Sequence, residues 1–168
     1  MVGSLVERFP RFTMLSGDFE SVSGDWAWRG EAAVFVERTL QGAAGTAVKG
    51  RAFDAGAGVD RRTGDFRIFA SAILHRQWSI EDPSVTRTDV SLVGSIERQF
   101  DRDRYLARAF AVINPGDGSG FVRGLLVMRL RDNVAVEGSA AAFIGDGDDT
   151  LARFKTRDFM LIRVRWQL

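Results

Sequence analysis

Phe66-Arg-Ile-Phe-Ala-Ser-Ala-Ile-Leu-His-Arg-Gln-Trp-Ser-Ile80 places Phe66, Ile68, Ala70, Ala72, Leu74, Trp78 and Ile80 at alternate positions, with Arg76 alone breaking the row. Successive side chains of an extended chain point to opposite sides, so this period of two predicts one long strand with an apolar face. Thr88, Val90, Leu92, Gly94, Ile96 and Phe100 repeat the pattern, as do Val122, Leu126, Met128 and Leu130. Met160, Ile162, Val164, Trp166 and Leu168 form a fourth row. Shorter candidates run from Leu15 to Val22, Glu31 to Leu40, Thr46 to Phe53, Tyr105 to Ile113 and Val134 to Ile144. Together they make about eight or nine strands, and helical periodicity is scarce.

The connections carry turn chemistry. Glu81-Asp-Pro-Ser84, Asn114-Pro-Gly-Asp-Gly118 and Arg131-Asp-Asn133 supply the Pro, Gly and Asx residues of tight hairpins. Sequence neighbours are therefore expected to be neighbours in space. A long meander leaves two open edges unless it closes, and closure at about eight strands leaves room for side chains or one small ligand. The expected fold is all-β, an antiparallel up-and-down β-barrel of about eight to nine strands closed around its apolar face, with a sandwich as the alternative. Residues 1–14 are read as an arm or lid, with Leu5, Val6, Phe9 and Phe12 on its apolar side, and residues 15–168 as a single barrel domain.

The 168 residues are enough for one domain with its own core, and 45% hydrophobic with 27% charged is an ordinary globular balance. The net charge of +1 gives no field for a polyanion, so nucleic acid is not expected. The absence of cysteine excludes disulfides, thiol nucleophiles and Cys-based zinc sites. No apolar run reaches the ~18 residues of a spanning helix and no signal peptide is legible. A cytoplasmic protein without a membrane partner is the resulting expectation, and a homodimer stays open.

Leu15-Ser-Gly17-Asp-Phe19 and Ile162-Arg163-Val164-Arg165-Trp166 resemble the two ends of a calycin or lipocalin-like barrel, in which a Gly-x-Trp on the first strand packs near an arginine of the last. Phe19 stands where that Trp would be. The resemblance implies a cup-shaped cavity. Stand-alone members of such barrels include spirotetronate-type cyclases of polyketide biosynthesis, which perform Diels–Alder closures, and the chain is similar to them in size, strand content and apolar arm. β-Barrel sensors of cyclic nucleotides are a second similar group.

His75 is the only histidine, so a histidine-rich metal site is excluded. By alternation it lies opposite the apolar row; the preferred reading is a surface histidine, the other a histidine facing a lumen. Asp146-Gly-Asp148-Asp149 lacks the spacing of a calcium loop and reads as a solvated turn. No metal and no cofactor are expected. Arg38, Arg76 and Arg98 each interrupt an apolar row, either polarising a bound ligand or carrying their charge to a rim. Arg76 is expected to pair near Ser91, too far from Arg98 for the arginines to cluster.

The functional expectation is a barrel binding a small apolar molecule and cyclising it by positioning and carbonyl polarisation. Arg76, Gln99 and Tyr105 are the candidate polarising residues, and Trp28, Trp78, Met128, Trp166, Phe9 and Phe12 the candidate walls. The alternative is a non-catalytic carrier or sensor, for example of a cyclic nucleotide.

Overall fold

The computed structural model describes residues 10–42, 46–146 and 149–167. The strands are β1 (Thr13–Ser23), β2 (Trp26–Gln41), β3 (Ala47–Thr63), β4 (Phe66–Ser79), β5 (Thr86–Phe100), β6 (Tyr105–Asn114), β7 (Ser119–Arg131), β8 (Val134–Ile144) and β9 (Phe159–Trp166). They form one antiparallel meander in sequence order, with β1 and β9 as its edges. The all-β, up-and-down architecture is the expected one. Strand β1 opens at Thr13, inside the segment read as an arm, whereas Leu5, Val6 and Phe9 lie outside the described residues.

The two ends of the sheet differ. Connections of two, two, four and two residues join β1–β2, β3–β4, β5–β6 and β7–β8 at one end. At the other, five, six, four and fourteen residues join β2–β3, β4–β5, β6–β7 and β8–β9. Gly24 and Gly64 open the first two tight turns at φ +58° and +56°, a backbone region that a Cβ disfavours. The longest connection folds back through a 3₁₀ turn, Ala152–Phe154, and Ala152 is buried.

Register assigns every side chain to a face. The rows Trp28–Val59–Ala70–Gly94–Ala111–Val122–Ala142 and Ile68–Ile96–Ala109–Gly124–Ala140–Met160 cross the sheet on one side. The other side carries Asp60, Arg67, His75, Glu97, Arg108, Arg123 and Glu137. Every strand Asp and Glu except Glu37 lies on this polar face. Glu37 occupies a bulge at φ +60°, between Val36 and Arg38. The extra residue shifts Arg38 to the polar face, over the Phe35 ring at 5.0 Å, so it does not interrupt the apolar row as expected.

The sheet curls with its polar face inward. One recess of about 460 Å³ is lined by both Arg29 of β2 and Arg123 of β7. Five strand spacings separate these strands, ~24 Å on a flat sheet, so only curvature brings both to one recess. Burial follows the same sense. Side chains of Asp60, Glu97 and Glu137 are 15%, 14% and 14% exposed. On the apolar face Leu126 and Ile162 are 51% and 80% exposed. The curl is therefore opposite in sense to the expected enclosure of the apolar face, and no ladder between β1 and β9 closes the sheet among the described residues. The chain presents 12637 Å² of accessible surface, against about 8,200 Å² for a compact monomer of its mass.

Candidate functional site

Cross-strand pairing stacks opposite charges along the concave face. Arg67 donates to Asp60 at 2.9 Å and Arg108 Nε donates to Glu97 at 2.7 Å. Glu137 lies 3.8 Å from Arg123 and 3.6 Å from Arg165. Toward the longer loops, His75 Nδ1 pairs with Asp54, and both line a recess of about 640 Å³ with Asp18 and Glu31. His75 thus faces the concavity rather than lying on the outer surface. No nucleophile contacts it among the described hydrogen bonds.

The fold-back of the β8–β9 connection closes part of the loop end. Phe110, Phe121, Phe143 and Phe154 form a chain of rings with centroids 6.3, 4.8 and 5.5 Å apart. The Asn114 amide and the Ser119 hydroxyl donate to Asp149 at 2.7 and 2.5 Å, and the Ala152 N–H donates at 2.9 Å. The Ser119 bond and the others hold the Asp149 carboxyl below the usual carboxylate range against partial desolvation. Asp146 is held low by Lys155, which donates to it at 2.7 Å. Asp149 is thus an anchor rather than a solvated turn residue; residues 147 and 148 lie outside the described residues.

The convex face has its own order. All four tryptophans lie on it, and its arginines stand at its two rims. Arg61 stacks over Trp26 at 4.7 Å, Arg98 over Phe66 at 5.0 Å and Arg76 over Trp78 at 5.9 Å. Trp26 and Trp28 stack at 5.8 Å, and Phe100 and Tyr105 at 5.2 Å. Outward polar or aromatic markers recur ten residues apart: Arg51 and Arg61 on β3, Phe66 and Arg76 on β4, Thr88 and Arg98 on β5. Ten residues rise ~33 Å, or ~25 Å at a tilt of about 40°. Between the markers the face is apolar, with Ala55, Ala57, Ala70, Ala72, Gly94 and Ala109 near its equator.

The residues proposed from sequence do not share one cavity. Trp28, Trp78, Met128 and Trp166 are on the convex face, Trp78 at the loop rim and the others toward the tight-turn rim. Arg76 and Tyr105 sit at opposite rims. Gln99 lies on the concave face, opposite Leu106. Arg76 pairs with Thr88 rather than near Ser91, because the β4–β5 strands begin pairing at Trp78 and Thr86. Phe12 packs 6.0 Å from Phe35, and Phe9 lies outside the described residues. Sequence reading missed the charge ladder, although alternating Arg and acid on the polar side of β3 to β8 was its signal. Comparisons with family models, curated proteins and solved structures return no match to this chain.

Proposed function

We propose that this chain is a membrane-embedded β-sheet wall, with its convex face in lipid hydrocarbon and its charged concave face lining a water-filled interior. The observation that carries this reading is the inverted polarity: outward apolar side chains stay open while carboxylates turn inward. In lipid the backbone must be satisfied by a strand ladder, and barrels that do so alternate apolar-out with polar-in. The ~25 Å spacing of the rim markers matches the height of such a band. Aromatic rings and arginines at both rims suit the two interfaces, where amphipathic side chains settle. Short turns at one end and longer loops at the other repeat the asymmetry of outer-membrane barrels. No helix among the described residues is long and apolar enough to cross a membrane. The sequence expectation rested on that helix criterion, which strands escape.

The test uses the tryptophans. The chain is folded into phosphatidylcholine vesicles carrying bromine at either of two acyl depths. Bromines near the glycerol end should quench the rim tryptophans more strongly than bromines near the chain end. Absence from floated vesicles, together with a stable water-soluble dimer, would overturn the reading in favour of two copies packed apolar face to apolar face.

A second reading rests on an open groove of about 780 Å³ on the apolar face, lined by Gly94, Ile96, Ala109, Val122, Ala140 and Met160. It suits a small apolar molecule, including a polyene undergoing cyclisation. Stoichiometric binding of an apolar dye without lipid would favour it.

A further inference from the structure

We infer that the tight-turn rim binds the phosphate of anionic lipid headgroups through Arg61 and Arg98, an assignment that rests on the membrane reading above. The inner arginines Arg67, Arg87, Arg108 and Arg123 each have a carboxylate partner. Arg61 and Arg98 have none among the described residues, and their guanidinium groups stack on aromatic rings: Trp26 for Arg61, Phe66 and Phe100 for Arg98. Strand carboxylates lie on the opposite face, save Glu37 at the bulge near the other rim. The outer guanidinium nitrogens of an arginine without a carboxylate partner suit the oxygens of a phosphate, which they can bind in pairs.

The two guanidinium groups belong to β3 and β5, flanking Phe66 of β4. Strands two apart are separated by roughly 10 Å, so neighbouring headgroups of one leaflet can meet them. Ring stacking presets each arginine at the interface, where a cation gains from an anionic surface.

The experiment measures partition of the full chain into phosphatidylcholine vesicles with and without phosphatidylglycerol, by tryptophan emission and flotation. A cation near an anionic surface gains ~1 kcal/mol, which is about fivefold in partition. Arg61→Gln should lose about fivefold on phosphatidylglycerol vesicles and nothing on neutral ones, and adding Arg98→Gln should deepen the loss to ~25-fold. Arg62→Gln removes the same charge from the adjacent, concave-facing position and should leave the preference intact. Millimolar inorganic phosphate should not compete, because a free anion lacks the membrane surface. Equal losses from Arg61→Gln and Arg62→Gln, or competition by inorganic phosphate, would sink the headgroup assignment while leaving the membrane reading standing. Failure of the unaltered chain to enter either vesicle would remove both.

Discussion

Ala72→Arg tests the inverted polarity at its most sensitive point. Ala72 lies on the convex face, six residues from both Phe66 and Trp78 on β4, and is exposed. Six residues of strand are ~20 Å, or ~15 Å of height at a tilt of about 40°, so this position sits at the equator of the band. On a sheet facing water, an arginine at an exposed alanine changes stability by about 0.5 kcal/mol or less. At the midplane of a bilayer it costs about 2–4 kcal/mol, falling to about 0–1 kcal/mol near the interface. Thr63 shares the convex face and pairs with Phe66 at the tight-turn rim, so Thr63→Arg is the shallow control. Urea unfolding from lipid vesicles, followed by tryptophan emission, should give Ala72→Arg a folded-to-unfolded ratio roughly 30- to 700-fold below that of the unaltered chain. Thr63→Arg should change it less than about fivefold. Equal, small effects at both positions would refute the claim that the convex face meets hydrocarbon.

Three further outcomes follow from the packing and charges. Gly50→Ala would drive a Cβ into Leu40 Cδ1 and to 2.6 Å from the Trp78 carbonyl oxygen, which should cost about 1–3 kcal/mol in urea midpoint analysis. Gly17→Ala meets nothing within 4 Å and should stay within about 0.5 kcal/mol. Glu97→Leu removes the partner of Arg108, whose side chain is 47% exposed, and should destabilise by about 0.2–1 kcal/mol; a double-mutant cycle with Arg108→Leu should return a coupling of that size, and no coupling would count against the pair. Because folding lowers the Asp149 carboxyl below its ordinary range, its contribution is complete above the ordinary carboxylate range and is lost as pH falls through the lower folded value. The protection factor of the Ala152 amide, measured against the slower intrinsic exchange in acid, should therefore fall as pH is lowered, and Asp149→Asn should flatten that dependence; an unchanged acid response in the variant would count against the anchor.

The rows read in β4, β5, β7 and β9 are strands in the structure because alternation survives wherever one face is uniformly apolar. The second half of β3 was not legible. Asp54-Ala-Gly-Ala-Gly-Val-Asp60 has the composition of a loop, yet Gly56 and Gly58 are strand residues on the crowded concave face. A Cβ at Gly58 would meet Ser71 at 3.2 Å, tighter than usual contact, whereas one at Gly56 would meet Glu31 at an ordinary 3.4 Å, so packing favours glycine at Gly58 alone despite its low strand propensity. The start of β2 was also missed, although Trp26 and Trp28 alternate with Ala27 and Arg29. The candidate site was less legible than the fold. Apolar rows were taken to enclose a cavity, and the residues of that row became its walls.

Alternation and turn residues, by themselves, determined that this chain forms long antiparallel strands connected in order, with one apolar and one polar face. They could not determine which face is concave, because a period of two is unchanged when the faces are exchanged. That choice belongs to the tertiary structure. The bulges after Val36 and Arg129 reset the register of β2 and β7, sending Arg38 to the polar face. Curvature then gathers Asp60, Glu97 and Glu137 beside arginines from neighbouring strands, where each carboxylate finds a cation. The sense of the curl is a property of all nine strands together, since only their combined registers decide which side chains converge and which spread apart.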